Sequence, residues 1–91
     1  MAAAAPTLEQ FKSVVASRLQ LPSESLFGHR LRLAEVVSRS PVTTNSIDLM
    51  EAVAGAMAEL DLDDRLELPA MTLNNTIDEL IAEVGAQLVA K

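Results

Sequence analysis

The sequence predicts an all-α fold, a small bundle of three main helices and one short helix. Three observations carry that expectation. Of the 91 residues, 49% are apolar but only 2% are aromatic, so the core must be built from Leu, Val, Ile, Met and Ala. Three segments repeat apolar residues at spacings of three and four, the signature of one buried helix face. No stretch reads as two strands joined by a hairpin turn. A chain of this length forms one domain, since domains usually need at least ~50 residues each. Its expected extent is 7–89, after a flexible N-terminal 1–6.

The first helix follows Pro6. Thr7 can cap it, and Gln10 three residues on completes a weak capping box. Leu8, Phe11, Val15 and Leu19 then share a face, and Pro22 marks the stop. Residues 22–45 form a long connection rich in Ser and Thr, broken by Gly28 and Pro41. Leu31, Leu33, Val36 and Val37 should pin it to the core, so a short helix is expected near 31–39 and the connection is partly ordered. The second main helix begins at Asn45 or Ser46 and runs to about Leu60. Asn45 is a good N-cap, and Asp48 in the first turn complements the positive end of the macrodipole. Asp61 to Leu73 is acidic and broken by Pro69, with room for a turn or two of helix. The last helix starts near Asn75, where Thr76 and Glu79 fit a capping box and Ile77, Leu80, Ile81, Val84 and Leu88 form the apolar face. The expected core is Leu8, Phe11, Val15, Leu19, Leu33, Leu49, Val53, Leu60, Leu66, Ile77, Ile81 and Val84.

Composition excludes several kinds of chemistry. Cysteine is absent, which rules out disulfides, thiol nucleophiles and thiolate metal sites. The single histidine, His29, rules out a multi-histidine metal site and reads as a solvated loop residue. The run Asp61, Asp63, Asp64 and Glu67 lacks the glycine and terminal Glu of a calcium loop and reads as a solvated acidic edge. No metal site is expected. No apolar run approaches the ~18 residues of a membrane span, and a cytoplasmic protein is expected. Charge is unevenly divided. Residues 1–40 carry five Lys or Arg against three acids, a net of +2, whereas 41–91 carry two against ten, a net of −8. Nucleic acid is therefore not an expected partner, and proteins with basic surfaces are. Arg30, Arg32 and Arg39 could meet a phosphate, although exposed loop arginines commonly have no such role.

The second main helix carries the functional signal. On a wheel of about 100° per residue, Ala52, Ala56, Leu49, Leu60, Val53, Met57, Met50, Ala54 and Ile47 span roughly 220°. A surface helix needs an apolar stripe little more than ~100° wide. Leu49, Val53, Ala56 and Leu60 can face the core, which leaves Ile47, Met50, Ala54 and Met57 near the surface beside Asp48 and Glu51. Apolar residues rimmed by acids suit docking to a basic partner with a hydrophobic centre. The plainer reading is a central helix buried on several sides.

The string Asn45-Ser46-Ile47-Asp48 resembles the Asp-Ser-Leu-Asp motif of acyl carrier proteins, in which the Ser carries 4′-phosphopantetheine. Glu51 continues the acidic face, Val53 and Leu60 fit buried positions, and Thr76-Ile77 through Val84 resembles the closing helix of the family. The resemblance runs from Thr7 to Leu88 and implies a right-handed acyl-carrier-protein-like bundle. It implies a discrete carrier, monomeric and without catalysis of its own, that holds acyl thioesters on an arm attached to Ser46. Its partners would be a phosphopantetheinyl transferase and acyl-loading and acyl-transfer or synthase enzymes, docking on Asn45, Ile47, Asp48, Met50, Glu51, Ala54 and Met57. The start of a helix suits a serine bearing phosphate, because unpaired N–H groups and the dipole favour negative charge. Asn45 already supplies the cap, so Ser46 is not needed for it.

The sequence departs from the family at Asn45, where Asp is usual, at Thr43, where Gly is common, and at Met57 and Ala58, where acids are often found. The loop before Ser46 is also longer. These changes imply a specialised pathway with its own enzymes. The acidic second half leans toward fatty-acid or polyketide carriers over peptidyl or aminoacyl carriers. An unmodified helical adaptor is the competing class, and Ser40 is the nearest rival serine.

Overall fold

The computed structural model describes residues 7–62, 67–68 and 71–90, with no account of the side chains of 89 and 90. Among the described residues the regular elements are five helices, α1 Leu8–Leu19, α2 Ser23–Leu26, α3 Leu33–Arg39, α4 Ser46–Glu59 and α5 Ile77–Ala90, and the β-structure is one isolated bridge. Three long helices form the bundle, and the two short ones lie in the connection between α1 and α4. The helix expected near 31–39 is α3, while α2 had no periodic signal because four residues show only one turn. Of the acidic segment 61–73, residues 67–68 and 71–73 are not helical. Residues 63–66 and 69–70, including the expected core position Leu66, lie outside the described set.

Helix starts follow local chemistry. Thr7 and Gln10 make the reciprocal box at α1, with Gln10 N–H donating to Thr7 Oγ1 at 3.2 Å and Thr7 N–H to Gln10 Oε1 at 2.7 Å. Both α1 and α4 end through residues in left-handed conformation, Gln20 (φ 56°) and Asp61 (φ 62°). Each turn sends the next N–H back along the helix, Leu21 to Ala16 O at 3.1 Å and Leu62 to Met57 O at 2.8 Å. Thus α1 stops at Leu19, before Pro22 is reached.

Helix α1 packs across both α4 and α5, and α3 covers another side of α4. Phe11, Val15, Leu19, Leu49, Val53, Leu33, Ile77, Ile81 and Val84 are buried as expected. The connection contributes Leu26, Phe27, Leu31 and Val36, and α5 adds Leu80. Leu8 and Leu60 are corrections, since both are only partly buried and pack against the rim of the core. Leu60 sits at the end of α4 where the chain turns away, and Leu62, 2% exposed, takes the inward place. Two glycines allow close approach. A Cβ on Gly55 would lie 2.6 Å from Arg18 Nη1, so the guanidinium rests on the backbone of α4 while donating to Glu59 at 3.1 Å. At Gly85 a Cβ would meet Leu8 Cδ2 at 3.0 Å, which brings α1 tight against α5.

The connection is held to α5 by polar contacts. Arg32 and Thr76 form the antiparallel bridge, with Leu33 N–H donating to Asn75 O and Ile77 N–H to Leu31 O, both at 2.8 Å. Asp78 accepts from Gly28 N–H at 2.8 Å and Arg30 N–H at 2.9 Å. These bonds fix the turn in which Gly28 (φ 82°) and Arg30 (φ 55°) both take left-handed backbone.

Candidate functional site

The segment leading into α4 contains four hydroxyl side chains, and three are spent on structure. Buried Ser40 donates to Leu19 O at 2.7 Å and accepts from Val42 N–H at 3.3 Å. Thr43, also buried, donates to Val37 O at 3.0 Å. Thr44 donates twice to Asp48 Oδ2, through its N–H at 2.9 Å and its hydroxyl at 2.7 Å. Ser46 is the fourth. It is exposed at the first position of α4, and its hydroxyl has no hydrogen-bond partner among the described residues.

Asn45 supplies the cap, accepting from Asp48 N–H through Oδ1 at 2.9 Å. The N–H groups of Ser46 and Ile47 have no partner among the described residues, so the helix start presents two donors beside the free hydroxyl. The two Thr44 bonds, hydroxyl first and backbone second, hold the Asp48 carboxyl below the usual carboxylate range and keep it ionised. Among the described residues that line the groove beside Ser46 none is His, Lys or Arg, and the His29 ring nitrogen is instead 2.7 Å from Glu24 O.

One flank of α4 is an apolar groove of about 320 Å³, lined by Ser46, Ile47, Met50, Glu51, Ala54, Leu68 and Met71. Ile47 is 69% exposed at its mouth. Leu68 forms a wall, and its segment is fixed by Gln87 of α5. The Gln87 amide accepts from Glu67 N–H at 2.7 Å and donates to Glu67 O at 2.8 Å. The other flank is a smaller hollow of about 280 Å³ with Arg18, Thr43, Asp48 and Glu51 around it. Glu51 is therefore the ridge between the two. A larger concavity, about 600 Å³, lies between α1 and α2 and shares no residue with either. Its lining is mostly polar (Glu9, Lys12, Ser13, Ser23 and Glu24), whereas the α4 groove joins an apolar lining to the exposed Ser46.

The structure brings together Asn45, Ser46, Ile47, Asp48, Met50, Glu51 and Ala54 at one end and one side of α4. It does not bring Met57 with them. Met57 is 2% exposed and belongs to the hydrophobic core. Thr44, Leu68, Met71 and Gln87 were not anticipated. Thr44 could have been found from its place four residues before Asp48 and beside a cap residue. Leu68 and Gln87 have no local signal, being joined only by folding. Arg30, Arg32 and Arg39 do not line the groove. Among the described residues, no cluster of His, Asp and Glu could hold a metal ion, and no helix is long and apolar enough to cross a membrane.

No protein-family model, curated protein or solved structure matches this chain.

Proposed function

We propose that this protein is a discrete acyl carrier that receives 4′-phosphopantetheine on Ser46 and presents acyl thioesters to the enzymes of a fatty-acid, polyketide or related specialised pathway. The observation that carries the reading is the division of labour among the four hydroxyls: Ser40, Thr43 and Thr44 hold the turn, and Ser46 alone is exposed with a free hydroxyl. The residues present suit the group. A phosphodiester on Ser46 would meet the positive end of α4 and the free N–H groups of Ser46 and Ile47. When bound, the arm supplies the thiol that this cysteine-free chain lacks.

The protein's own contribution is to bind and orient. Among the described residues no His, Lys or Arg lines the groove beside Ser46, so in this reading the transferase supplies both the base and the magnesium. Ile47, Met50, Ala54 and Glu51, with the cap residue Asn45, form the docking surface, and the basic faces of transferase and synthase are its complement. Met57 has no part in it.

The test is intact-mass measurement after incubation with a broad-specificity phosphopantetheinyl transferase, magnesium and coenzyme A. A gain of one phosphopantetheine group, lost in Ser46→Ala, is the expected result. No gain with several transferases would favour the second reading, an unmodified adaptor using the same exposed Ile47 and groove to bind a partner. Mass analysis of the native arm would distinguish an acyl from an aminoacyl cargo.

A further inference from the structure

We propose that Thr44 and Asp48 are positioning residues for Ser46, and that the negative charge which attracts partners to this end of α4 comes from Glu51. The proposal rests on the carrier reading and assigns a different task to Asp48 than composition alone would.

Asp48 Oδ2 receives two hydrogen bonds from one residue, the Thr44 N–H at 2.9 Å and the Thr44 hydroxyl at 2.7 Å. Its own N–H is donated to Asn45 Oδ1 at 2.9 Å. The usual capping box joins the cap residue to the third helical residue. Here the third residue reaches one position further back, so the clamp encloses 44–48 and fixes the chain on both sides of Ser46 and Ile47. Those two residues carry no side-chain bond of their own among the described residues. The clamp is mounted on fixed points, because Thr43 is tied to Val37 O and Ser40 to Leu19 O.

The carboxylate of Asp48 is thus turned toward the preceding loop. Arg18 faces it across the smaller hollow and is paired with Glu59, not with Asp48. Glu51 is exposed on the ridge and makes no hydrogen bond or ion pair among the described residues, so it is free to meet a basic partner. A docking charge acts mainly on encounter and is screened by salt, whereas a positioning contact acts on geometry and is not.

Four variants separate the two roles. Asp48→Asn removes the charge but leaves a carbonyl oxygen to accept from Thr44. Thr44→Val removes the hydroxyl donor and leaves the charge, and Thr44→Ser restores the donor. Glu51→Gln removes the ridge charge. Modification kinetics with the same broad-specificity transferase, across a salt series, should show Thr44→Val losing about tenfold in kcat/KM with an unchanged salt slope. Thr44→Ser and Asp48→Asn should stay within about twofold of the parent, and Glu51→Gln should raise KM and flatten the salt dependence. Amide exchange at Ile47 and Asp48 should quicken in Thr44→Val and not in Glu51→Gln. If Asp48→Asn flattened the salt slope while Thr44→Val modified normally, the assignment would be overturned. Unchanged amide exchange in Thr44→Val would also overturn it. A parent protein that accepts no phosphopantetheine, yet shows the exchange effect, would sink the carrier reading and leave the clamp standing.

Discussion

The N-termini of α4 and α5 are built with the same chemistry and put to opposite uses. At α5, Thr76 and Glu79 make a reciprocal box, Thr76 N–H to Glu79 Oε1 at 2.8 Å and Glu79 N–H to Thr76 Oγ1 at 3.0 Å. The residue that follows, Ile77, is fully buried, and Asp78 ties down the backbone of Gly28 and Arg30. At α4 the box is spread over Thr44, Asn45 and Asp48, and the residues that follow are an exposed Ser46 and a 69% exposed Ile47. One helix start is inserted into the fold and the other is held out from it. Satisfying the terminal N–H groups sets where a helix begins, whereas the role of that start depends on what lies above it.

The largest expected difference is chemical. Ser46→Ala should abolish phosphopantetheinylation with an unchanged circular dichroism spectrum, because Asn45 keeps the cap. Ser40→Ala should be modified normally but lose about 1–3 kcal/mol in denaturant unfolding, since it leaves buried Leu19 O without its partner. Modification that followed Ser40 instead would refute the site.

Next in size is the contrast between the two isoleucines. Ile77→Ala should cost about 2–5 kcal/mol in denaturant unfolding, as buried aliphatic truncations do. Ile47→Ala should stay within about 0.5 kcal/mol and instead shorten the lifetime of partner complexes, as measured by surface plasmon resonance. The same reasoning lowers the expectation for Leu60→Ala, which is only partly buried, relative to Ile81→Ala.

A smaller effect concerns the groove wall. Replacing Gln87 with Leu removes both bonds to Glu67 and should cost about 1 kcal/mol, with faster amide exchange at Glu67.

The smallest effect, and the one common to both ends, is acid sensitivity. Asp48 and Glu79 are each held below their ordinary values by threonine donors, the Thr44 hydroxyl foremost for one and the Thr76 N–H foremost for the other. A depressed folded-state pKa stabilises above the unfolded value, and that contribution is lost as pH falls through the folded one. Thermal midpoints should therefore be level down to about pH 4 and decline below it. Glu79→Gln and Asp48→Asn should each remove part of that decline, and a decline unchanged in both would show that other carboxylates dominate.

Much of the molecule follows from short-range chemistry that a sequence displays directly. Thr7 with Gln10, Asn45 with Asp48 and Thr76 with Glu79 lie three residues apart, and each starts a helix as its spacing requires. Phe11, Val15 and Leu19, and Ile77, Ile81 and Val84, are buried because residues three and four apart must share a face. The place of Ser46 at the exposed start of α4 was legible for the same reason. The 220° apolar arc of α4 was a different matter, since the sequence shows its width but not which part is covered. Tertiary packing decided that, burying Met57 and leaving Met50 half-buried along the groove. Arg18 on Gly55, Gln87 on Glu67 and Asp78 on Gly28 join residues 20 or more positions apart. Contacts at such range leave no periodic trace in the chain, because they depend on the angle at which finished helices meet.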